Sequence, residues 1–163
     1  MNTKTALITG VGPGTGSALA RRFAAGGYRV AMLARNGERL AALQAELPGS
    51  RSYVCDVTDP GVLATTLDAV VADMGPPAVV VHNAVGGAFG NFLDIDPAVL
   101  ERNFQVNVMA LLHLARHLTP AMVAAGEGAI VITGNTSALR GKANFAGFAP
   151  TKAAQRILAE SMA

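Results

Sequence analysis

The stretch TALITGVGPGTGSALA, residues 5–20, joins a short apolar run to a helix-patterned segment through a glycine-rich loop. Four glycines lie in this loop: Gly10, Gly12, Gly14 and Gly16. Glycines at such a turn let backbone N–H groups approach a pyrophosphate at a helix N-terminus. The spacing departs from strict G-x-G-x-x-G, because Thr15 and Ser17 stand where the third glycine would fall. A plain strand-to-helix turn needs fewer glycines, so we predict a dinucleotide-binding loop here.

Apolar runs and helical patterns alternate along the rest of the chain. The runs predict five strands, at 5–9, 29–34, 52–55, 78–82 and 129–133. The intervening segments predict helices at 17–25, 38–47, 60–74 and 97–125, the last of which a kink could interrupt, and from about Ala149 onward. Strands that are apolar throughout are typical of sheets covered on both faces. We therefore predict one α/β domain over residues 1–163, with a doubly wound parallel sheet of the Rossmann type.

The sequence ends in ILAESMA, inside an amphipathic helical pattern without a glycine cap. Open sheets of this type usually carry a sixth strand. Without one, the fifth predicted strand here would be an apolar edge of the sheet. We therefore expect the domain to be incomplete at its C-terminus and to lack the usual last strands.

Composition excludes several classes of function. The 163 residues are 51% hydrophobic and 15% charged, with a net charge of +2. The basic residues are spread along the chain, so they form no basic patch that would indicate nucleic-acid binding. The single cysteine, Cys55, excludes an internal disulfide and a multi-cysteine metal site. His113 and His117 have a helical spacing that can bind metal, but no third ligand accompanies them, so no metal site is predicted.

The sequence also predicts a protein that is neither secreted nor embedded in a membrane. The N-terminal MNTKTALITG lacks the apolar core of a signal peptide, and the long uncharged run 74–93 is interrupted by prolines, glycines and His82. We expect a soluble, cytoplasmic protein.

A missing carboxylate bears on the choice of dinucleotide. NAD sites generally place an acidic residue on the adenosine ribose about 20 residues after the glycine loop. Here no Asp or Glu precedes Glu38, and Arg35 directly follows the second predicted strand, with Arg39 one turn further on. A guanidinium at this place can pair with a 2′-phosphate, which favours NADP over NAD. The alternative is that Arg35 only ends a strand in solvent.

Five segments, in order, carry a family resemblance. Thr9–Gly16 fits T-G-x-x-x-G-x-G, Asp56-Val57 follows the third strand, His82-Asn83-Ala84 follows the fourth, Asn107 lies in a helix, and Lys152 precedes a helical run. Together they resemble the short-chain dehydrogenase/reductase family over the whole chain. The resemblance implies a cofactor site at Gly10, Pro13, Gly14, Thr15, Gly16, Arg35, Asp56, Val57, Asn83, Ala84 and Lys152. His82 and Val85 depart from the family's N-N-A-G, and His82 either faces the cofactor or ends a buried strand.

The resemblance also implies catalytic positions, and two of these depart from the family. Lys152 matches the lysine of Y-x-x-x-K, and Asn107 matches an asparagine that holds a water near that lysine. The tyrosine position, however, falls on Phe148, and the serine position falls on Asn135. A shift of two residues would place Ser137 at the serine position instead. Phe148 has no proton to give, whereas Asn135 can donate a hydrogen bond to a carbonyl oxygen.

These positions leave three interpretations open. The first, which the family resemblance implies, is an oxidoreductase that transfers hydride between NADP(H) and a small carbonyl or alcohol. Its proton donor would be unusual, such as Ser137, Thr136, a water or the substrate. The second is a catalytically impaired NADP-binding pseudoenzyme, and the third is an inactive fragment of a longer reductase. By the same resemblance, the long helices are expected to form a homo-oligomer.

Overall fold

The computed structural model describes residues 3–163. Its strands are β1 (Thr5–Thr9), β2 (Arg29–Ala34), β3 (Arg51–Val54), β4 (Val79–His82) and β5 (Ala129–Ile132). They form one parallel sheet in the order β3-β2-β1-β4-β5. The predicted α/β fold is therefore confirmed, and the predicted strands match within one residue at each end.

The helices are α1 (Thr15–Ala25), α2 (Gly37–Glu46), α3 (Pro60–Met74), α4 (Pro97–Phe104), α5 (Ala110–Ala125) and α6 (Ala149–Ser161). A π-helical turn, Gln105–Met109, joins α4 to α5, and a 3₁₀ turn, Thr136–Ala138, follows β5. The predicted single helix over 97–125 is thus two α-helices with a wider turn between them. A π turn shifts backbone hydrogen bonding by one residue and is frequent at functional sites.

Both faces of the sheet are covered, which explains why its central strands are apolar throughout. Alternate residues point to opposite sides. Leu7, Leu33 and Val80 share one buried cluster with residues of α3 and α5, whereas Ile8, Met32 and Val81 share another with residues of α1 and α2. The outer strands are less covered: Val54 of β3 is 64% exposed and Val131 of β5 is 47% exposed.

The continuous helical stretch Pro97–Ala125 has the length and apolar composition that a membrane span requires. The core helix of a folded α/β domain meets the same two criteria. Here Leu114, Leu118 and Met122 are buried in the cluster that covers one face of the sheet. That packing accounts for the buried part of this stretch, which is 33% of its most apolar window.

The strand order reverses between β1 and β4, because the chain passes from β1 to β2 on one side and later returns to β4 on the other. In open α/β sheets such a reversal opens a crevice at the carboxyl ends of the strands, where ligands bind.

Candidate dinucleotide and reaction site

A cavity of about 930 Å³ lies at this reversal point, bounded by the segments that follow β1, β2, β3 and β4 and by the end of α4. It brings together most of the predicted cofactor residues: Gly10, Gly14, Thr15, Gly16, Arg35, Asp56, Val57, Asn83 and Ala84. Pro13 lies in the same loop but is exposed and does not line the cavity. Asn107, Asn135 and Lys152 do not line it either.

Two glycines of the β1–α1 loop are required by close backbone packing. Gly10 has φ +68°, and a Cβ on it would lie 2.5 Å from the Cα of Ala84. A Cβ on Gly16 would lie 2.7 Å from the Cα of Val11. The loop therefore fits tightly against the segment after β4, and a side chain at either position would displace backbone.

The N-terminus of α1 opens toward the cavity. Its N-cap is Gly14, no side chain caps it, and no acidic residue lies in the first turn. Uncapped N–H groups and the positive end of the helix dipole favour an anion at this place. The glycine loop thus has the geometry of a phosphate cradle.

Thr9 and His82 join the ends of β1 and β4 beneath the cavity. The Thr9 hydroxyl oxygen accepts hydrogen bonds from the backbone N–H groups of Asn83 and Ala84, each at 3.2 Å. It lies 3.0 Å from Nδ1 of His82, while Nε2 lies 3.0 Å from the carbonyl oxygen of Val106. Because a carbonyl only accepts, the proton sits on Nε2 and Nδ1 accepts from the Thr9 hydroxyl.

His82 is fully buried and does not line the cavity, so of its two predicted roles the structure places it at the end of a buried strand. Burial lowers the pKa of His82 to about 4; the Val106 carbonyl opposes this shift and the nearby Lys152 charge adds to it. The imidazole is therefore neutral at pH 7 and acts as a link between β1, β4 and the π turn.

The far end of the cavity combines a carboxylate with an arginine that sequence reasoning missed. Oδ1 of Asp56 accepts hydrogen bonds from the backbone and the hydroxyl of Thr58, and Oδ2 lies 3.3 Å from a guanidinium nitrogen of Arg102. Burial alone would raise the pKa of Asp56, but the Thr58 bonds and the Arg102 and Arg35 charges together hold it below its ordinary value. The sequence pattern of α4 gave no signal that Arg102 contacts Asp56, because this contact depends on how α4 lies over the loop after β3.

Arg35 and Arg39 line the same region of the cavity and are exposed. Between them, the side chain of Asn36 caps α2 by accepting a hydrogen bond from the backbone N–H of Arg39 at 2.8 Å. The cap fixes the first turn of α2 so that both guanidinium groups border one space. Within residues 3–163, neither arginine takes part in an ion pair.

Asn107 and Lys152 lie together behind the β4 side of the cavity. The Asn107 side chain bonds to both backbone polar groups of Gly86, which lines the cavity, and donates to the Thr151 hydroxyl at 2.7 Å. Lys152 is 3% exposed, and its ammonium donates to the carbonyl of Thr133 at 2.8 Å. Burial lowers the pKa of Lys152. The two residues that the resemblance paired are thus close to each other, and both are held by hydrogen bonds within the domain.

Phe148 lies at the start of α6, half-buried against the loop after β4. A Cβ on Gly87 would lie 2.7 Å from its ring, and the ring centroid is 6.2 Å from that of the exposed Phe89. The aromatic ring therefore sits beside the end of the cavity that Gly87 lines. It brings apolar surface there but no proton donor.

Asn135 and Ser137, the alternatives for the serine position, sit in the turn after β5. Oδ1 of Asn135 accepts a hydrogen bond from the backbone N–H of Ser137 at 2.8 Å, which caps the 3₁₀ turn. Asn135 is exposed, and Ser137 lines a separate cavity of about 390 Å³ with Phe145 and Ala149. The structure does not bring either side chain to the large cavity.

The sequence profile of a family described as short chain dehydrogenase matches residues 4–163. This chain belongs to the short-chain dehydrogenase family.

Solved structures and curated relatives agree with the assignment. D-erythrulose reductase of Gallus gallus is 33% identical over 161 residues, covering 98% of this chain and 64% of the relative. A metagenomic short-chain oxidoreductase in complex with NADP has TM-score 0.92 and 31% identity, covering 97% of this chain and 74% of that one. NAD⁺-bound xylitol dehydrogenase has TM-score 0.91 and 33% identity, covering 98% of this chain and 64% of that one. The present chain thus spans 64% to 74% of the length of these three proteins.

Proposed function

We propose that this short-chain dehydrogenase binds NADP(H) and transfers hydride between it and a small carbonyl or alcohol. The observation that carries the proposal is the charge of the 930 Å³ cavity, whose lining includes Arg35, Arg39, Arg102 and a single carboxylate, Asp56. That carboxylate is already bonded to Thr58 and paired with Arg102. Two further guanidinium groups suit a ligand with more than one phosphate group.

The residues present fit a nicotinamide dinucleotide. Gly10 and Gly16 have no room for a Cβ, and the uncapped start of α1 borders the cavity, which suits a pyrophosphate. We propose that Asp56 and Val57 contact the adenine, that Arg35 and Arg39 hold the 2′-phosphate, and that Asn83 and Ala84 border the nicotinamide half. Lys152 would bond a ribose hydroxyl from behind Gly86. Bound NADP(H) supplies or accepts the hydride.

The protonation step is the part of the reaction for which this chain departs from the family's motif, because Phe148 stands at the position matched to the tyrosine. Reducing a carbonyl needs one proton as well as the hydride, and Phe148 supplies none. General acid–base groups contribute about 10²–10⁴-fold to rate, so we expect slow turnover. Phe148 is the specific observation that favours the second candidate function, an NADP-binding protein that has lost most of its catalytic activity. An inactive fragment of a longer reductase is the remaining interpretation.

The relatives suggest which substrates to try. Their names include D-erythrulose reductase and L-xylulose reductase, which act on small hydroxylated carbonyl compounds. We propose the same size class for this protein. We also propose a cytoplasmic location and a homo-oligomer formed through the long helical stretch α4–α5 and the last helix, α6.

Two measurements test the proposed function. Calorimetric titration with NADPH and NADH should give saturable binding that is tighter for NADPH, and absorbance at 340 nm should report slow oxidation of NADPH with D-erythrulose or L-xylulose. Saturable binding without turnover would support the pseudoenzyme interpretation. Absence of binding at millimolar NADPH in folded protein would contradict both and leave the fragment interpretation.

A further inference from the structure

Gln155 is a buried polar residue that the family resemblance gives no role. It lies on α6, nearly one turn after Lys152, and is 2% exposed. Burying an amide costs free energy unless its polar atoms are bonded, so its partners show what holds it there.

Both ends of the Gln155 amide are bonded inside the domain. Its Oε1 accepts a hydrogen bond from the Lys152 ammonium at 2.6 Å, and its Nε2 donates to the carbonyl oxygen of Asn107 at 2.8 Å. The orientation of the amide is chemically forced, since the ammonium only donates and the carbonyl only accepts. Gln155 is therefore a bridge between Lys152 and the π turn that carries Asn107.

The bridge limits what the ammonium can do. An ammonium has three N–H donors. In Lys152 one is directed to the Thr133 carbonyl and one to Gln155, so one donor remains for a ligand. A water molecule could make the same two bonds as Gln155 and could pass a proton, whereas an amide does not relay protons at neutral pH.

We propose that Gln155 is a positioning residue for Lys152: it keeps the buried ammonium charged and fixes it so that one N–H donor stays free of bonds within the domain. The proposal rests on the proposed function for the identity of the ligand. The effect on Lys152 itself does not depend on that ligand.

Few other charges act on this ammonium. His82 of β4 is buried beside it and neutral near pH 7, and the π turn, the 3₁₀ turn and β5 carry no titratable side chain. Glu101 and Arg102 of α4 are exposed, as is Arg156 on α6 itself. Burial lowers the pKa of Lys152, and the two oxygen acceptors stabilise its charged form against that burial.

The direct test is the titration of Lys152 by NMR in protein labelled with ¹³C at lysine Cε. Lys4, Lys142 and Lys152 are the chain's lysines, so three signals are expected, and Lys4→Arg and Lys142→Arg assign them. Gln155→Met keeps the length of the side chain and removes the acceptor, so the Lys152 midpoint should fall by about one pH unit or more. Gln155→Glu should raise it, because a carboxylate then faces the ammonium. Arg156→Met, on the same helix, is the control and should leave it unchanged.

The outcome is decided by the direction of the two shifts. A Lys152 midpoint that is the same in wild type, Gln155→Met and Gln155→Glu would overturn the proposal. If Gln155→Met does not fold, Gln155→Glu decides alone, since its expected shift is upward. The pH profile of NADPH affinity provides the second readout. As the pH rises and Lys152 loses its proton, affinity should begin to fall at a lower pH in Gln155→Met than in wild type. If no variant binds NADPH, the proposed function fails while the NMR titration still decides the role of Gln155.

Discussion

The Asn107 side chain is hydrogen-bonded to both backbone polar groups of Gly86: Oδ1 lies 2.9 Å from its nitrogen and Nδ2 lies 2.7 Å from its carbonyl oxygen. Asn107 is completely buried in the π turn, and Gly86 lines the large cavity. One amide thus fixes the wall of the cavity to the helix behind it. Because Nδ2 also donates to Thr151, the same side chain ties that wall to the start of α6.

Replacing Asn107 by Ala should therefore destabilise the domain. The change leaves both backbone polar groups of the part-buried Gly86 without their side-chain partner. It also removes one donor from the Thr151 hydroxyl, which keeps its own bond to the Phe148 carbonyl. An unsatisfied buried polar group costs about 1–3 kcal/mol. We expect the free energy of unfolding to fall by at least about 2 kcal/mol in urea denaturation. Asn144→Ala, at an exposed position, is the control, and equal stability of the two variants would contradict the assignment.

The glycine loop gives a matched pair of substitutions. Gly10→Ala should be strongly destabilising, because φ is +68° and the new Cβ would meet the Ala84 backbone at 2.5 Å. A Cβ on Gly12 has only one neighbour, the carbonyl oxygen of Gly10 at 4.0 Å, so Gly12→Ala should leave stability nearly unchanged. Since Gly12 lines the cavity, it should instead weaken NADPH binding. Thermal unfolding and calorimetric titration of both variants separate the two effects; a stable Gly10→Ala protein would refute the first.

Selectivity for the extra phosphate should depend on Arg35 and Arg39. Replacing both by Gln should weaken NADPH binding about 10- to 100-fold, since a hydrogen bond to a charged group contributes about 1.5–3 kcal/mol. NADH has no 2′-phosphate, so its affinity should change little. Arg116→Gln, an exposed residue that does not line the cavity, should affect neither ligand. Equal losses for NADPH and NADH would mean that these arginines do not read the 2′-phosphate.

The low pKa of His82 leads us to predict that the stability of the domain decreases as the pH falls below neutral. Its pKa is about 4 in the folded protein and about 6.5 when unfolded, so the unfolded chain binds the proton first. Stability from this group is therefore fully present above pH 6.5 and is lost as the pH falls toward 4, by up to about 3 kcal/mol. Urea denaturation between pH 4.5 and 7 should show the slope in wild type and a much smaller one in His82→Asn. A slope that survives the substitution would assign it to other groups.

The sequence was sufficient for the fold and for the loop that borders the large cavity, because both depend on local patterns. Apolar runs marked β1 to β5 within a residue, and the glycines after β1 marked the loop that borders the cavity. The prediction of one helix over 97–125 missed the π turn, since a shift of one hydrogen bond leaves the apolar periodicity nearly intact.

Contacts between residues that are far apart in the sequence could not be predicted from the sequence. Arg102 meets Asp56 across 46 positions, and Gln155 meets Asn107 across 48. Neither pairing leaves a periodic signal, because it depends on how two helices lie against the sheet. His82 shows the same limit: its pattern allowed either a cofactor contact or a buried strand end, and only its bonds to Thr9 and Val106 distinguish them.

The last prediction concerns the proton that Phe148 cannot give. Phe148→Tyr adds a hydroxyl at the start of α6, four positions before a lysine whose ammonium keeps one free donor. A cation close to a phenol lowers its pKa and makes it a better proton donor near neutral pH. Together with Asn135→Ser, it should raise the rate of carbonyl reduction with NADPH, with about 10²–10⁴-fold as the upper range for a restored acid–base group.

Steady-state oxidation of NADPH at 340 nm, with NADPH affinity measured in parallel, tests this double variant. The same double substitution with Lys152→Met is the control, because it keeps the phenol and removes the cation. The rate gain should disappear in that control while the phenol remains. A folded, NADPH-bound Phe148→Tyr/Asn135→Ser protein with an unchanged rate would contradict the prediction, because the proton donor and the hydroxyl would then both be in place without effect.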